Sequence, residues 1–251
     1  MYIFLTQLSI LDILLATDIL PNMIHITIHE GESISLTSCI TQFCFFSSIE
    51  CSECLLLTVM SYDRYVAICN PLHYHSVVNH LFCIISIVST WTIGHFILLL
   101  NAVSICRLHF CKSNIIDHFF CDFAPLVGLS CSNTFIIRMQ TLILCFFIVA
   151  CPFIIIVISY LCIIFTILQI KSAQGRQKAF FTCSSHLTAV SIFYGTLISV
   201  YVIPTDGQLV ILSKILSLLY TVVTPLLNPA IYTIRNKDFK KAFEKFKMLA
   251  V

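Results

Sequence analysis

Charge is what this chain lacks most. Only 10% of its 251 residues are Asp, Glu, Lys or Arg, against 59% hydrophobic residues, where a soluble domain carries about 25% charged residues. Mean hydropathy is +0.98. So little charge excludes a water-compatible surface over most of the molecule, because the remainder would be one large apolar patch. A formal net charge of +2 is too small for the basic footprint of a nucleic-acid binder. With six glycines, seven prolines and no repeat or low-complexity tract, fibrous and linker-rich architectures are excluded. Catalytic signatures are missing too. There is no phosphate loop, no His-Glu-x-x-His and no Gly-x-Ser-x-Gly, so the chain does not read as an enzyme and needs no cofactor. No Asn-x-Ser/Thr sequon occurs. Residues 1–20 have no basic leading region and are interrupted by Asp12, which reads against a signal peptide.

What the chain has instead is apolar runs. A bilayer core takes about 20 residues per helix. Six runs reach that length, at roughly 2–24, 38–69, 81–104, 135–169, 178–203 and 209–233. They predict an all-α polytopic transmembrane helix bundle in which residues 1–251 form a single domain, with membrane lipid as its main solvent. Most connectors are short and hold turn residues: Glu30-Gly31-Glu32, Asn70-Pro71, Ser172 to Gly175 and Pro204-Thr205-Asp206-Gly207. The connector 105–134 is different, being long and Cys-rich. After Arg235, the residues Phe239, Ala242, Phe243 and Phe246 recur at helical spacing among Lys240, Lys241, Lys245 and Lys247. That pattern predicts an amphipathic helix at about 236–247, lying on an anionic leaflet.

Charge orients the bundle. With Arg64 on the cytoplasmic side, the alternation of spans puts Lys171, Arg176, Lys178, Arg235, Lys237, Lys240, Lys241, Lys245 and Lys247 there as well. That is ten of the fourteen Lys and Arg residues, as the positive-inside rule requires. Arg107, Lys112, Arg138 and Lys214 fall on the other side.

A few polar residues interrupt the runs. Glu53 lies eleven residues before Arg64, about 16 Å along a helix, and Asp12 lies about 15 Å in from Tyr2. Both are predicted near mid-membrane, where a carboxylate needs a proton, a cation or hydrogen-bond donors. Asn228 is a third candidate at that depth. Asp63 and Arg64 close the second run. There a guanidinium held by its neighbour is free to change partner, or else anchors the helix end by snorkelling. Phe43, Phe46, Ser47, Glu50 and Cys54 recur on one helical face. Cysteines number fourteen. Cys39, Cys106, Cys111, Cys121 and Cys131 fall on the outer, oxidising side, where bridges form, though spacing leaves their connectivity open. His109-x-Cys111 and His118-x-x-Cys121 have spacings that zinc also uses, while disulfides account for the same cysteines without a metal. Cys44, Cys51, Cys54, Cys145, Cys151, Cys162 and Cys183 read as small apolar packing residues.

The string Met60-Ser-Tyr-Asp63-Arg64-Tyr65-Val-Ala-Ile-Cys-Asn-Pro-Leu-His-Tyr74 resembles the olfactory receptor family of rhodopsin-like G-protein-coupled receptors. The opening at Met1-Tyr2-Ile3-Phe4-Leu5, His118-Phe-Phe-Cys121-Asp122, Leu129-Ser-Cys131-Ser132, Lys178 to Leu187 and Thr224-Pro-Leu-Leu-Asn228-Pro229-Ala-Ile-Tyr232 extend the likeness in the same order. The loop pattern is similar to the tetrapod-type class. The resemblance implies seven helices, of which this chain starts at the second. The expectation is therefore a chain lacking its first helix, with lipid reaching Asp12 and Asn228.

The family also implies roles. A small volatile odorant would sit among Phe43, Phe46, Ser47, Glu50, Leu144, Ile148, Tyr194, Ile198, Tyr201 and Thr221, and a heterotrimeric G protein of the stimulatory, cAMP-linked type would be the partner. Asp63, Arg64, Tyr65, Tyr160, Asn228, Pro229 and Tyr232 would form the coupling switch. Asp12, Glu53 and Asn228 would form an ion or proton site, with sodium the implied ion at Asp12 and Glu53. The implied bridges are Cys39 with Cys121 and Cys111 with Cys131. Glu50 departs from the family, which carries a small residue there, usually Gly. It either narrows the cavity or gives it an acidic handle. The implied location is the plasma membrane, as a multi-pass protein. The alternative is a non-signalling, pseudogene-like remnant retained in the endoplasmic reticulum.

Overall fold

A computed structural model describes residues 1–29, 33–111, 115–202 and 210–228. It separates into two compact units, Met1–Cys162 and a second beginning at Ile163. Five helical stretches are long and apolar enough to cross a membrane: Tyr2–Ile28, Leu36–Cys69, His80–Cys106, Phe135–Gln169 and Cys183–Val200. The sixth run is described only in part, as the apolar stretch Lys214–Asn228. The segment expected at 236–247 lies outside the described residues.

In the first unit, α1 (Tyr2–Ile28) buries a stripe of Phe4, Leu8, Leu11, Asp12, Leu15 and Ile19. The spacing is that of one helical face. Ile3, Ile10, Ile13, Leu14, Ile24 and Ile28 are exposed on the others, as befits a helix solvated by lipid. Asp12 is only 3% exposed. The expectation that lipid reaches it is therefore corrected, because it points with the buried stripe. Asn228, in the second unit, is also buried.

Helix α2 (Leu36–Cys69) is the enclosed one. Its apolar window is 67% buried, against 22% for α4 (His80–Cys106). The Ser35 hydroxyl caps α2 by accepting from the Ser38 N–H at 3.0 Å, and the Asn79 side chain caps α4 by accepting from the Phe82 N–H at 2.8 Å. The two helices approach closely because Gly94 faces Ser48 and Ser52. A Cβ on Gly94 would lie 2.9 Å from the Ser48 carbonyl oxygen and would overlap the Ser52 hydroxyl. The Ser52 hydroxyl also reaches the Thr90 carbonyl at 3.4 Å. Small residues at such a crossing are how membrane helices gain packing where hydrophobicity offers no preference for a partner. Trp91 Nε1 donates to Gln7 Oε1 at 3.0 Å, tying α4 to α1.

The long connector folds into a cap on the outer ends of these helices. Phe110 and Ser130 form an antiparallel bridge, and a short helix α5 (Phe123–Gly128) is capped by the Asp122 side chain. Leu126 and Val127 of α5 share one apolar core with Cys39, Phe43, Cys44, Ile105, Cys121 and Ile137. Disulfides join Cys39 to Cys121 and Cys111 to Cys131, with Cα separations of 5.4 Å and 5.8 Å.

The fourth span runs as α6 (Phe135–Cys145), a π-helical turn (Phe146–Ala150) and α7 (Cys151–Gln169). In the second unit, α8 (Ala173–Val202) is followed by α9 (Val210–Leu218) and a second π-helical turn (Leu219–Val223). Both π turns have the same cause. Pro152 and Pro225 have no N–H to give and crowd the carbonyl four residues back. The preceding residues, Cys151 and Thr224, donate instead to the carbonyls of Phe146 and Leu219, five residues back. Such local adjustment is what lets proline sit inside a membrane helix. Within the second unit, the Phe193 ring meets Tyr220 at 6.1 Å.

Of the cysteines expected to pack, Cys44, Cys51, Cys54 and Cys183 are buried and Cys151 is half-buried, but Cys145 and Cys162 are exposed. A thiol is apolar enough to face lipid, so exposure there carries little penalty.

Candidate functional site

Three places along α2 carry polar chemistry. The first is its inner end. Asn70-Pro71 stops the helix, a 3-10 turn (Pro71–His73) reverses the chain, and Tyr74 opens the short helix α3 (Tyr74–Val77). That reversal brings the Tyr74 hydroxyl to Asp63, to which it donates at 3.0 Å. Asp63 is fully buried and Arg64 nearly so. Arg64 Nε donates to Asp63 Oδ2 at 2.9 Å, and Arg64 Nη2 donates to the same oxygen. One carboxylate is thus held by a guanidinium on one oxygen and a phenol on the other. Burial, then the neighbouring Asp63 carboxylate, pushes the Tyr74 hydroxyl up to about 12, so it remains a donor at neutral pH. The Met1 amino nitrogen lies 3.6 Å from Asp63 Oδ1, so the start of α1 shares this end with the close of α2. Tyr65 is half-buried and stacks near Tyr62, and Tyr160 is buried on α7.

The second place is mid-helix. Asp12 and Glu53 are both buried, at 3% and 2% exposure, and lie close enough for their charges to interact. Glu53 Oε1 has no hydrogen-bond partner among the described residues. The two carboxyls expected at similar depth thus lie near each other. Among the described residues no three His, Cys, Asp or Glu side chains gather to hold a metal ion, including around His109 and His118.

The third place is the outer half of α2, beneath the cap. The Phe43 ring lies 6.1 Å from Phe123, and Phe46 lies 5.2 Å from Phe120. Ser47 accepts from Asn101 Nδ2 at 2.9 Å, and Ser104 donates to Gln140 Oε1 at 2.8 Å. Leu144 and Ile148 are half-buried on α6 and its π turn. Glu50 follows one turn below Phe46, with its Oε1 buried and without a hydrogen-bond partner among the described residues. Asp122 accepts from the Phe123 N–H at 2.7 Å. Burial raises its carboxyl above the ordinary range, and that bond partly offsets the rise. In the second unit, Tyr194 and Thr221 are buried, while Ile198 is exposed. The Tyr201 side chain, Pro229 and Tyr232 lie outside the described residues.

Three features of these sites were not anticipated. Tyr74 closes on Asp63 although eleven residues separate them, and the Pro71 break was the available signal. Gln42, 7% exposed, donates to the Asp18 carbonyl at 3.0 Å and accepts from the Cys121 N–H at 3.1 Å and from Asn22 Nδ2 at 3.4 Å. It ties α1, α2 and the cap together, and only its polarity within an apolar run hinted at that. The proline-linked π turns were signalled by Pro152 and Pro225.

Membrane-length helices, a cap bridged to the second of them and a buried Asp-Arg pair at that helix's inner end define an all-helical, multi-pass bundle of the rhodopsin-like receptor type. The chain belongs to the olfactory receptor family, a family of receptors and not of enzymes, whose profile matches residues 1–250. It is 45% identical to human olfactory receptor 10AG1 over 98% of this chain and 81% of that receptor. Human olfactory receptor 11A1 is 46% identical over 98% of this chain and 78% of its own length. Mouse olfactory receptor 5AR1 is 43% identical over 98% and 79% respectively. The chain spans about four-fifths of the length of these relatives.

Proposed function

We propose that the chain acts as one receptor domain that binds a small volatile molecule beneath the outer cap and activates a heterotrimeric G protein, of the cAMP-raising type, at the inner end. The observation that carries this reading is the buried Asp63–Arg64–Tyr74 arrangement in a member of a receptor family. A buried guanidinium held by one carboxylate is costly to keep and ready to be traded for another partner. Arg64 leaves Asp63 when the active state forms, and Tyr65 and Tyr160, with Asn228, Pro229 and Tyr232, belong to the same switch. The ligand needs only to bind the active state more tightly than the resting one. Phe43, Phe46, Ser47, Glu50, Leu144 and Ile148 are the ligand contacts of α2 and the fourth span, and family likeness adds Tyr194, Ile198, Tyr201 and Thr221 as further candidates. Asp12 and Glu53 hold a proton or a sodium ion that the switch displaces, and family likeness adds Asn228 as a candidate.

The test is nucleotide exchange. Membranes containing the chain are combined with a purified stimulatory G protein and a panel of volatile compounds. At least one compound is expected to accelerate exchange. Compounds that bind but leave exchange at its basal rate would favour a non-signalling remnant and overturn the proposal.

A further inference from the structure

We propose that Glu50 is an anchor for a protonated amine, so that the ligands this chain favours are small organic cations with an apolar body. The proposal rests on the odorant-binding reading above and names the ligand class for that same site.

Four observations support it. Glu50 shares a helical face with Phe43 and Phe46, and those two rings are covered by Phe123 and Phe120 of the cap. The His118 ring meets Phe120 edge-on at 4.7 Å. Glu50 therefore lies about one to two turns along α2 from these ring pairs, on the same helical face. Its Oε1 is buried and has no hydrogen-bond partner among the described residues. A buried acceptor without a donor is a standing demand for one. A second acid, Asp122, lies on the cap close enough for the two charges to interact, and both also act on Cys145 of α6. Among the described residues, the outer-side cations of this unit do not answer the demand, since Arg107 and Arg138 are exposed and Arg138 donates to Thr134 instead.

The chemistry of the missing partner follows. A metal ion is a poor fit, because no three ligating side chains converge among the described residues. An alkylammonium brings its own N–H donors, pairs with the carboxylate and lays its charge against aromatic faces, which attract cations. Its alkyl tail fits the apolar surroundings. The other use of Glu50 would be to fill space as a neutral acid, narrowing the cavity without choosing a charge.

Binding to the purified chain in lipid nanodiscs separates these, with n-hexylamine and 1-hexanol as probes. The two have equal tails, and only the amine is charged at neutral pH. Affinity is read from the ligand-dependent rise in unfolding midpoint. The expected result is that the amine binds about tenfold tighter or more, equivalent to about 1.4 kcal/mol. Glu50→Gln is expected to erase that preference, the amine falling to the affinity of 1-hexanol. Equal binding of both probes, or a preference that survives in Glu50→Gln, would overturn the amine assignment while leaving the odorant cavity intact. If the wild-type chain bound neither probe, both readings would fall. Should Glu50→Gln not fold, Asp122→Asn keeps the α5 cap and lowers the same negative potential. It is expected to reduce the preference about threefold, and an undiminished preference there would count against the proposal.

Discussion

The two ends of α2 are held by different physics. At the outer end, the Cys39–Cys121 bond, the Gln42 hydrogen bonds and an apolar core including Leu126 and Val127 join helix and cap. At the inner end, among the described side chains, Asp63 is held by Arg64 and the Tyr74 hydroxyl. A covalent bond and buried apolar area resist exchange of partners. A charge-assisted pair does not, because another acceptor can replace the first at similar energy. The contrast suggests a receptor whose outer end keeps its shape around a ligand while its inner end changes state.

The largest expected effect comes from breaking the outer end. Cys39→Ser or Cys121→Ser is expected to cost about 2–5 kcal/mol, seen as a fall in the unfolding midpoint of the purified chain in nanodiscs. An unchanged midpoint would mean the cap is held by its apolar core and Gln42 without the bridge. Next is the seam between the two ends. Gly94→Val forces α4 away from Ser48 and Ser52 and is expected to cost about 1–3 kcal/mol by the same measurement. If the variant were as stable as wild type, close approach at Gly94 would not be needed.

The inner end should behave differently. Tyr74→Phe removes one donor from Asp63, a loss of about 1 kcal/mol. Basal nucleotide exchange is expected to rise while the unfolding midpoint falls by only about 2–4 °C. The pH dependence sharpens the point. Folding raises the Tyr74 hydroxyl from its ordinary 10.0 to about 12. The stability it lends is fully present below pH 10 and is lost as pH rises through about 12. Basal exchange should therefore owe nothing to Tyr74 titration between about pH 6 and 9. A step in that range that vanished in Tyr74→Phe would contradict the assignment. The smallest effect is expected at Asp122. Its carboxyl is raised by burial, so what it contributes is lost as pH rises through its folded value. Asp122→Asn caps α5 equally well without a charge to bury, and should shift stability by no more than about 0.5 kcal/mol, in the stabilising direction. A clear fall in the unfolding midpoint would show that Asp122 has a partner beyond the Phe123 N–H.

The spans themselves were readable from apolar runs, to within a few residues at most ends, because length is what a bilayer demands. Asp12, Glu53 and Asp63 were readable because charge is conspicuous in such runs. The buried faces were not. A helix in lipid is apolar all round, so hydrophobic periodicity does not say which side meets protein. In α2 and α4 the information lay in small and polar residues, namely Ser48, Ser52 and Gly94, whose meaning depends on a partner helix. Tyr74 and Gln42 were obscure for the same reason. Each acts across a sequence gap that no local pattern encodes. The bridges of Cys39 with Cys121 and Cys111 with Cys131 came from family resemblance, since spacing alone allows other pairings.

Arg64→Gln tests the central claim most directly, with ligand binding and nucleotide exchange measured on the same membranes. The inner end is distant from the cap, so a volatile compound that activates the wild-type chain should bind the variant with an affinity within about twofold of wild type. Exchange should remain at its basal rate whatever the ligand concentration. Ligand-driven exchange at the wild-type rate in Arg64→Gln would contradict the account, because the buried pair at the end of α2 would then not be the switch.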